Sequence, residues 1–97
     1  MEMYDPPHAG AVFKECLNGA NITETAQRLG VTRATLSRII NGKQGVTADM
    51  AIKFAELLPN TDAEFWLQIQ MKYDLWQAKQ RPHNVVIPLS QPLPAMA

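Results

Sequence analysis

The stretch NITETAQRLGVTRATLSRIINGK, residues 21–43, contains two short helical patterns joined by a tight turn. Asn21 is a good N-cap for the first helix, and Glu24 stands three residues later, where its side chain can bond back to the cap's own N–H. Gly30 suits the left-handed conformation that ends a helix, and Thr32 can cap a second helix. The stretch therefore predicts a helix-turn-helix.

The second of these helices has two different faces. Leu36 and Ile39 recur at helical spacing and predict a buried stripe. The opposite face has no acidic residue and offers guanidinium groups, small side chains and hydroxyls, from Arg33, Ala34, Thr35, Ser37 and Arg38. Arg can bond two acceptors on a guanine edge, and small residues let a helix enter the major groove. We therefore expect this helix to read DNA. The alternative is a helical hairpin whose only role is packing within the protein.

The charge of the chain is balanced overall, but it is unevenly distributed. Nine Lys and Arg residues face nine Asp and Glu residues, yet residues 21–46 hold four basic side chains against Glu24 alone, a balance of +3. The cations thus concentrate in the motif, as binding to nucleic acid requires. Because so few basic groups should bind phosphate weakly, we expect a homodimer to place two copies on one double-stranded DNA.

Composition limits the class of protein further. With 97 residues, no long apolar run and no signal-peptide pattern, the chain is expected to be a soluble, cytoplasmic protein without membrane association. The single Cys16 allows no internal disulfide and is expected to be buried as a small hydrophobe. His8 is interpreted as a polar residue before the first helix, because no metal-ligand spacing surrounds it. With no catalytic set and no phosphate-binding glycine loop, no enzyme activity, cofactor or metal is expected.

Three more helices are expected outside the motif. The first runs from residue 9 or 10 to residue 17, after an irregular arm over residues 1–7, with Cys16 on its inward side. Thr47 caps the next helix, which stops at Pro59. Thr61 begins a T-D-A-E capping box for the last helix, which spans about residues 62–79.

The last helix is apolar nearly all round, so one small hairpin cannot cover it and part of it should meet a partner chain. Trp66 and Ile69 are expected to complete the core. The candidates for the dimer interface are Phe65, Ile69, Tyr73 and Trp76. Residues 1–80 are thus predicted to form a DNA-binding and dimerisation domain. Residues 81–97 form a proline-containing tail, in which residues 84–87 could make a short strand and residues 91–97 are expected to be mobile.

Several segments also resemble the HigA-type antitoxins, members of the large helix-turn-helix family that includes the phage lambda repressors. The resemblance covers residues 8–80 and is carried by PPHAG at 6–10, RLGVTRATLSRIINGK at 28–43, GVTADMAIKFAELL at 45–58 and AEFWLQIQMKYDLWQA at 63–78. The last segment is the most specific, through its FW-L-x-x-Q-x-x-Y-D-L pattern. Where the family usually has His-Pro-Gly, this chain has His8-Ala9-Gly10, which leaves the DNA face unchanged.

The resemblance implies an all-α, five-helix, lambda-repressor-like fold that forms a homodimer. It implies an antitoxin that neutralises a HigB-type toxin, a small ribonuclease acting on mRNA, and that represses its own operon at a palindromic operator. By position, the base-reading face is Arg33, Ala34, Ser37 and Arg38, the turn contacting the DNA backbone is Asn41 and Lys43, and the capping residue on the phosphate side is Thr32.

Two other interpretations of the residues stay open. A transcriptional repressor without a toxin partner fits the DNA motif equally well, and a gene for a small basic ribonuclease beside this one would separate the two. A purely structural role, in which the last helix only assembles subunits, is also possible. It is compatible with DNA binding, since a dimer would place two reading helices about one DNA turn, roughly 34 Å, apart.

Overall fold

The computed structural model of the protein describes residues 5–82 and 84–95. Over these residues the chain is all-α, which confirms the predicted fold class. Its five helices are α1 (Ala9–Leu17), α2 (Ile22–Leu29), α3 (Arg33–Ile40), α4 (Ala48–Leu57) and α5 (Ala63–Gln80). Helices α2 and α3 form the predicted helix-turn-helix, with Gly30 between them at a φ of 75°, the left-handed conformation that glycine adopts without strain.

The helix starts follow from side chains that satisfy free backbone N–H groups. Three predicted N-caps are confirmed. Each accepts a hydrogen bond from the backbone N–H three residues later: Asn21 from Glu24 at 3.0 Å, Thr32 from Thr35 at 3.0 Å and Thr47 from Met50 at 3.2 Å. Asn18, with a φ of 54°, ends α1 in the left-handed region, which Asn tolerates better than most residues.

Two details of the predicted capping differ from the structure. The Glu24 carboxylate does not return to the N-cap of α2, because it pairs with Arg28 one turn later at 2.6 Å. The N-cap of α5 is Asp62, which accepts from Phe65 N–H at 2.8 Å, rather than Thr61. The Thr61 hydroxyl is already engaged, donating to the Leu58 carbonyl and accepting from the Trp66 indole N–H.

An aromatic cluster forms the centre of the core. The Phe13 and Phe54 rings are stacked with centroids 3.7 Å apart, and the Trp66 ring meets both edge-on. All three side chains are fully buried, as are Leu36 and Ile39 of α3. The buried stripe predicted for the second motif helix is therefore confirmed, and it ties α3 to the helices behind it.

Cys16 is exposed, so the prediction that it is buried is wrong. It lies in the last turn of α1 and lines an open groove with Leu17, Ala20, Leu57 and Leu58. The turns before it are covered, since Ala9 and Phe13 are fully buried, but at Cys16 no neighbouring helix closes over the side chain.

The chain after α5 is extended. Within residues 84–95 there is neither helix nor strand, so the strand suggested for residues 84–87 does not form, and the described residues offer no other strand for it to pair with. Val85, Val86, Leu89 and Leu93 are all at least 79% exposed. Residues 1–4 of the predicted arm, His83, and the last two residues of the tail lie outside the described residues.

Candidate nucleic-acid interface

The outer face of α3 is the feature that the sequence singled out. Arg33, Ala34, Ser37 and Arg38 are exposed along this eight-residue helix, while Leu36 and Ile39 on the opposite side have no exposed surface. No acidic side chain lies within α3. The structure thus brings the four predicted base-reading residues together on one basic, narrow surface that a major groove can accept.

Arg38 is held in place by a chain of hydrogen bonds. Its Nε donates to the Gln44 Oε1 at 3.1 Å, and its Nη2 donates to the Thr35 Oγ1 at 3.3 Å. The Thr35 hydroxyl also accepts from Thr32 Oγ1 at 2.9 Å. Thr35, predicted as part of the DNA-binding set, is half-buried. Through these two hydrogen bonds its hydroxyl links the N-cap of α3 to Arg38.

Two further predicted residues lie beyond the end of α3. Asn41 is the C-cap of α3, and its side-chain amide donates to Ser37 Oγ at 3.3 Å. Lys43 is exposed, and its backbone N–H donates to the Arg38 carbonyl at 2.8 Å. Both stand at the C-terminal end of α3, beside its exposed basic face.

Arg33 differs from Arg38. In the part of the chain that the structure describes, no hydrogen bond and no ion pair engages the Arg33 guanidinium. Gln44, which holds Arg38, is absent from the predicted site. It lies in the loop between α3 and α4, outside any helical pattern, and a polar residue six positions after an arginine gives no periodic signal.

His8 and Gln70 are buried next to the loop that follows α3, and neither role was predicted. His8 is 8% exposed and is the N-cap of α1, where its Nδ1 accepts from Gly10 N–H at 2.9 Å. Gln70 is 4% exposed; its Oε1 accepts from Val46 N–H at 3.0 Å and its Nε2 donates to Asp74. The loop that follows α3 is thereby fastened to α5.

The prediction that His8 is a polar residue before the first helix is confirmed, since it is the N-cap of α1, but its burial was not predicted. Burial lowers the pKa of His8 below its ordinary value of 6.5, and the nearby Asp74 carboxylate opposes that shift. The ring also packs edge-on against Tyr73, with centroids 4.8 Å apart. Because Nδ1 accepts the hydrogen bond from Gly10, this ring nitrogen carries no proton in that arrangement.

The four interface candidates on α5 divide into two kinds. Phe65 is 40% exposed, and Ile69 and Trp76 are half-buried on the same flank of the helix. Tyr73 is also half-buried, but its ring packs within the chain against His8.

A second apolar flank of α5 was not predicted. Met71 and Leu75, about half exposed, line an open groove with Val46, Leu67, Ala78 and Arg81. The buried side of α5 between the flanks holds Trp66 and Gln70.

The described residues hold no group of three or more His, Cys, Asp or Glu side chains placed to bind a metal ion. None of the helices in the described ranges is long and apolar enough to cross a bilayer.

Comparison with known proteins gives consistent matches. The model of a family described as helix-turn-helix matches residues 13–66, from α1 into α5. The virulence-associated protein A' of Dichelobacter nodosus is 50% identical over 92 residues, which cover 93% of this chain and 80% of that protein. The antitoxin HigA-1 of Vibrio cholerae is 46% identical over 80 residues, 78% of this chain and 73% of that protein.

A solved structure has the same fold. The Pseudomonas aeruginosa antitoxin HigA, determined with the higBA promoter, superposes with a TM-score of 0.72 at 31% identity, covering 77% of this chain and 84% of that chain. The region shared with that DNA-bound protein covers most of the chain.

Proposed function

The chain belongs to the helix-turn-helix family, and within it to the HigA-type antitoxins, and from this membership we propose that it binds a specific operator and represses its own operon. It is a DNA-binding helix-turn-helix protein of the antitoxin class. The observation that carries the proposal is the outer face of α3, where two arginines and small side chains stand and no acidic residue lies within the helix. No enzymatic role is proposed.

The residues divide the work of binding between the bases and the DNA backbone. Arg33 and Arg38 would donate to guanine O6 and N7, since Arg makes that bidentate pair most often. Ala34 and Ser37 are small enough to let the helix approach the base edges. Thr32, Asn41 and Lys43 stand at the two ends of α3, where hydroxyl, amide and ammonium donors would bond phosphate oxygens and fix the register.

A homodimer would double these contacts. We propose that residues 1–80 form the DNA-binding and dimerisation domain and that residues 81–97 are an appended tail. The exposed flank of α5 with Phe65, Ile69 and Trp76 is the proposed interface, because apolar surface of this kind favours association. Two α3 helices related by a two-fold axis would match a palindromic operator whose half-sites are about one DNA turn, roughly 34 Å, apart.

The toxin partner is the second part of the proposal. Membership of the HigA-type antitoxins supports a HigB-type, mRNA-cleaving toxin that this chain binds and neutralises in the cytoplasm. The test is co-expression with the product of an adjacent gene for a small basic ribonuclease. Restored growth and a co-purifying complex would support the role, whereas toxicity unchanged by this chain would contradict it.

The DNA-binding part is tested by binding of the purified protein to its own upstream DNA and to a scrambled duplex, each at two salt concentrations. We expect tight binding to the upstream site alone, with a modest salt dependence because few cations are available. Equal, weak and salt-sensitive binding to both duplexes would mean that α3 supplies charge without reading sequence.

A transcriptional repressor without a toxin partner is the second candidate. The acid-free face of α3 favours it as much as it favours the antitoxin, because repression needs only the DNA contact. Specific binding to the upstream site, combined with no complex and no rescue in the co-expression test, would support this candidate.

A further inference from the structure

Arg38 approaches its hydrogen-bond partners with one particular edge of its guanidinium. The Nε–H donates to the Gln44 Oε1 at 3.1 Å, and Nη2 donates to the Thr35 Oγ1 at 3.3 Å. Nε and Nη2 are neighbours on the same edge of the planar group, so both acceptors occupy that edge. The other edge, formed by Nη1 and the remaining Nη2 hydrogen, keeps two parallel donors for a bidentate contact.

Gln44 can hold Arg38 because its own backbone is fixed on both sides. On one side, Lys43 N–H donates to the Arg38 carbonyl at 2.8 Å. On the other, Val46 N–H donates to the buried Gln70 side chain at 3.0 Å. The loop between α3 and α4 is therefore anchored to both helix α3 and helix α5, and the half-buried Gln44 projects from a rigid segment.

We propose that Gln44 is a positioning residue for base reading, which holds the Arg38 Nε–H so that the Nη1–Nη2 edge of the guanidinium faces the major groove. This inference rests on the proposed function, since it concerns how the same α3 face reads an operator. A guanine presents O6 and N7 as two adjacent acceptors, and a guanidinium ordered before binding loses less side-chain freedom when it pairs with them.

Gln44 acts through Arg38 and need not touch DNA. Its effect should therefore vanish when Arg38 is absent, and this is what separates positioning from direct contact. A double-mutant cycle measures the dependence. The four proteins are the wild type, Gln44→Ala, Arg38→Ala and the double variant, each tested by fluorescence anisotropy on the upstream DNA and on the scrambled duplex.

We expect Gln44→Ala to reduce the preference for the upstream DNA by roughly five- to tenfold, less than Arg38→Ala does. In the Arg38→Ala background the same change should have no effect. Gln44→Glu keeps an acceptor for Arg38 Nε–H, so it should weaken binding to both duplexes alike while keeping the preference. An equal loss from Gln44→Ala in both backgrounds, or no loss in either, would overturn the proposal.

A spectroscopic readout tests the bond without DNA. In a ¹H–¹⁵N spectrum of the free protein, the Arg38 Nε–H signal should be visible and slow to exchange, and it should broaden or shift to the solvent-exposed position in Gln44→Ala. An unchanged signal would overturn the inference. A wild type that binds both duplexes equally would overturn the proposed function and the reading role with it. If the wild type prefers the upstream DNA and Gln44→Ala keeps the same preference, this inference alone is overturned.

Discussion

Gly10 lies directly against the carbonyl group of Ile39, so α1 and the last turn of α3 meet backbone to backbone. A Cβ built on Gly10 would overlap the Ile39 carbonyl oxygen and carbon and would stand 3.1 Å from the Nδ1 of His8. Because the obstacle is backbone, no side-chain rotation can relieve it. The glycine of the PPHAG segment thus sets how closely α3 packs onto α1.

The first prediction is that Gly10→Ala lowers the free energy of unfolding by about 1–3 kcal/mol, the usual cost of overpacking. That range is the net loss, because a clash with backbone lies at or above the upper end of the cost of overpacking, and alanine recovers only ~1 kcal/mol over glycine within a helix. Urea unfolding followed by circular dichroism measures it. Gly45→Ala is the matched control, since its Cβ would be 3.4 Å from the Gln70 amide nitrogen, an ordinary contact. Equal stability of the two variants would contradict the close packing.

The second prediction concerns the pH dependence of stability. Burial lowers the pKa of His8 in the folded chain below its ordinary value of 6.5. Between the folded-state pKa and pH 6.5, the unfolded chain therefore binds more protons than the folded one. The contribution of neutral His8 is therefore complete above pH 6.5 and is lost as the pH falls through the folded-state pKa. His8→Asn keeps an N-cap acceptor but cannot titrate.

We expect the wild type to lose more stability than His8→Asn as the pH is lowered from about 7 to about 5. Thermal or urea unfolding at several pH values measures the two slopes. The ring's absence in His8→Asn adds an offset that is independent of pH, so only the difference in slope matters. Parallel curves of stability against pH would show that His8 has the same pKa in the folded and in the unfolded chain.

The third prediction is that Arg33→Ala lowers specific operator binding by about 1–3 kcal/mol and reduces the preference over scrambled DNA. Arg28→Ala removes the same charge from the exposed side of α2, where Arg28 pairs with Glu24. We expect this control to keep the preference. Titrations of both variants on both duplexes give the comparison, and an unchanged preference in Arg33→Ala would remove Arg33 from the reading face.

The fourth prediction separates the two apolar flanks of α5. If the flank with Phe65 forms the dimer, Phe65→Glu should sediment as a monomer at micromolar concentration, because an unpaired carboxylate would be buried there. Met71→Glu, on the opposite flank, should stay dimeric. Circular dichroism checks that both variants fold, since Phe65 also contacts Trp66 edge-on. A monomeric wild type, or a dimer broken by Met71→Glu alone, would contradict the proposed interface.

Local chemistry explains why much of the fold was predictable from the sequence. Each N-cap at Asn21, Thr32 and Thr47 involves atoms three residues apart, so sequence spacing alone identifies it. The buried stripe of α3 likewise follows from helical periodicity. At the start of α5, Thr61 and Asp62 are both suitable caps, and the choice depends on the Trp66 indole, which occupies the Thr61 hydroxyl.

The parts that escaped prediction depend on partners distant in sequence. Gln70 would be placed on an exposed face by its polarity, yet it is buried because its amide bonds Val46, 24 residues away. His8 is buried against α5, where its ring meets the side chain of Gln70, a residue 62 positions later in the sequence. Gln44 is only six residues from Arg38, but it lies in a loop, so its hydrogen bond to Arg38 follows no helical spacing. No periodic pattern contains such pairings.

The two tryptophans of α5 lie ten residues apart on one helix but in different surroundings. Trp66 is sealed among aromatic rings with no exposed surface, whereas Trp76 is half-buried on the outer flank. A polar quencher such as iodide therefore reaches the second indole, and not the first, while the chain is folded and the α5 flank is uncovered. The emission of one molecule thus separates two events, since loss of the core unmasks Trp66 and covering of the α5 flank shields Trp76.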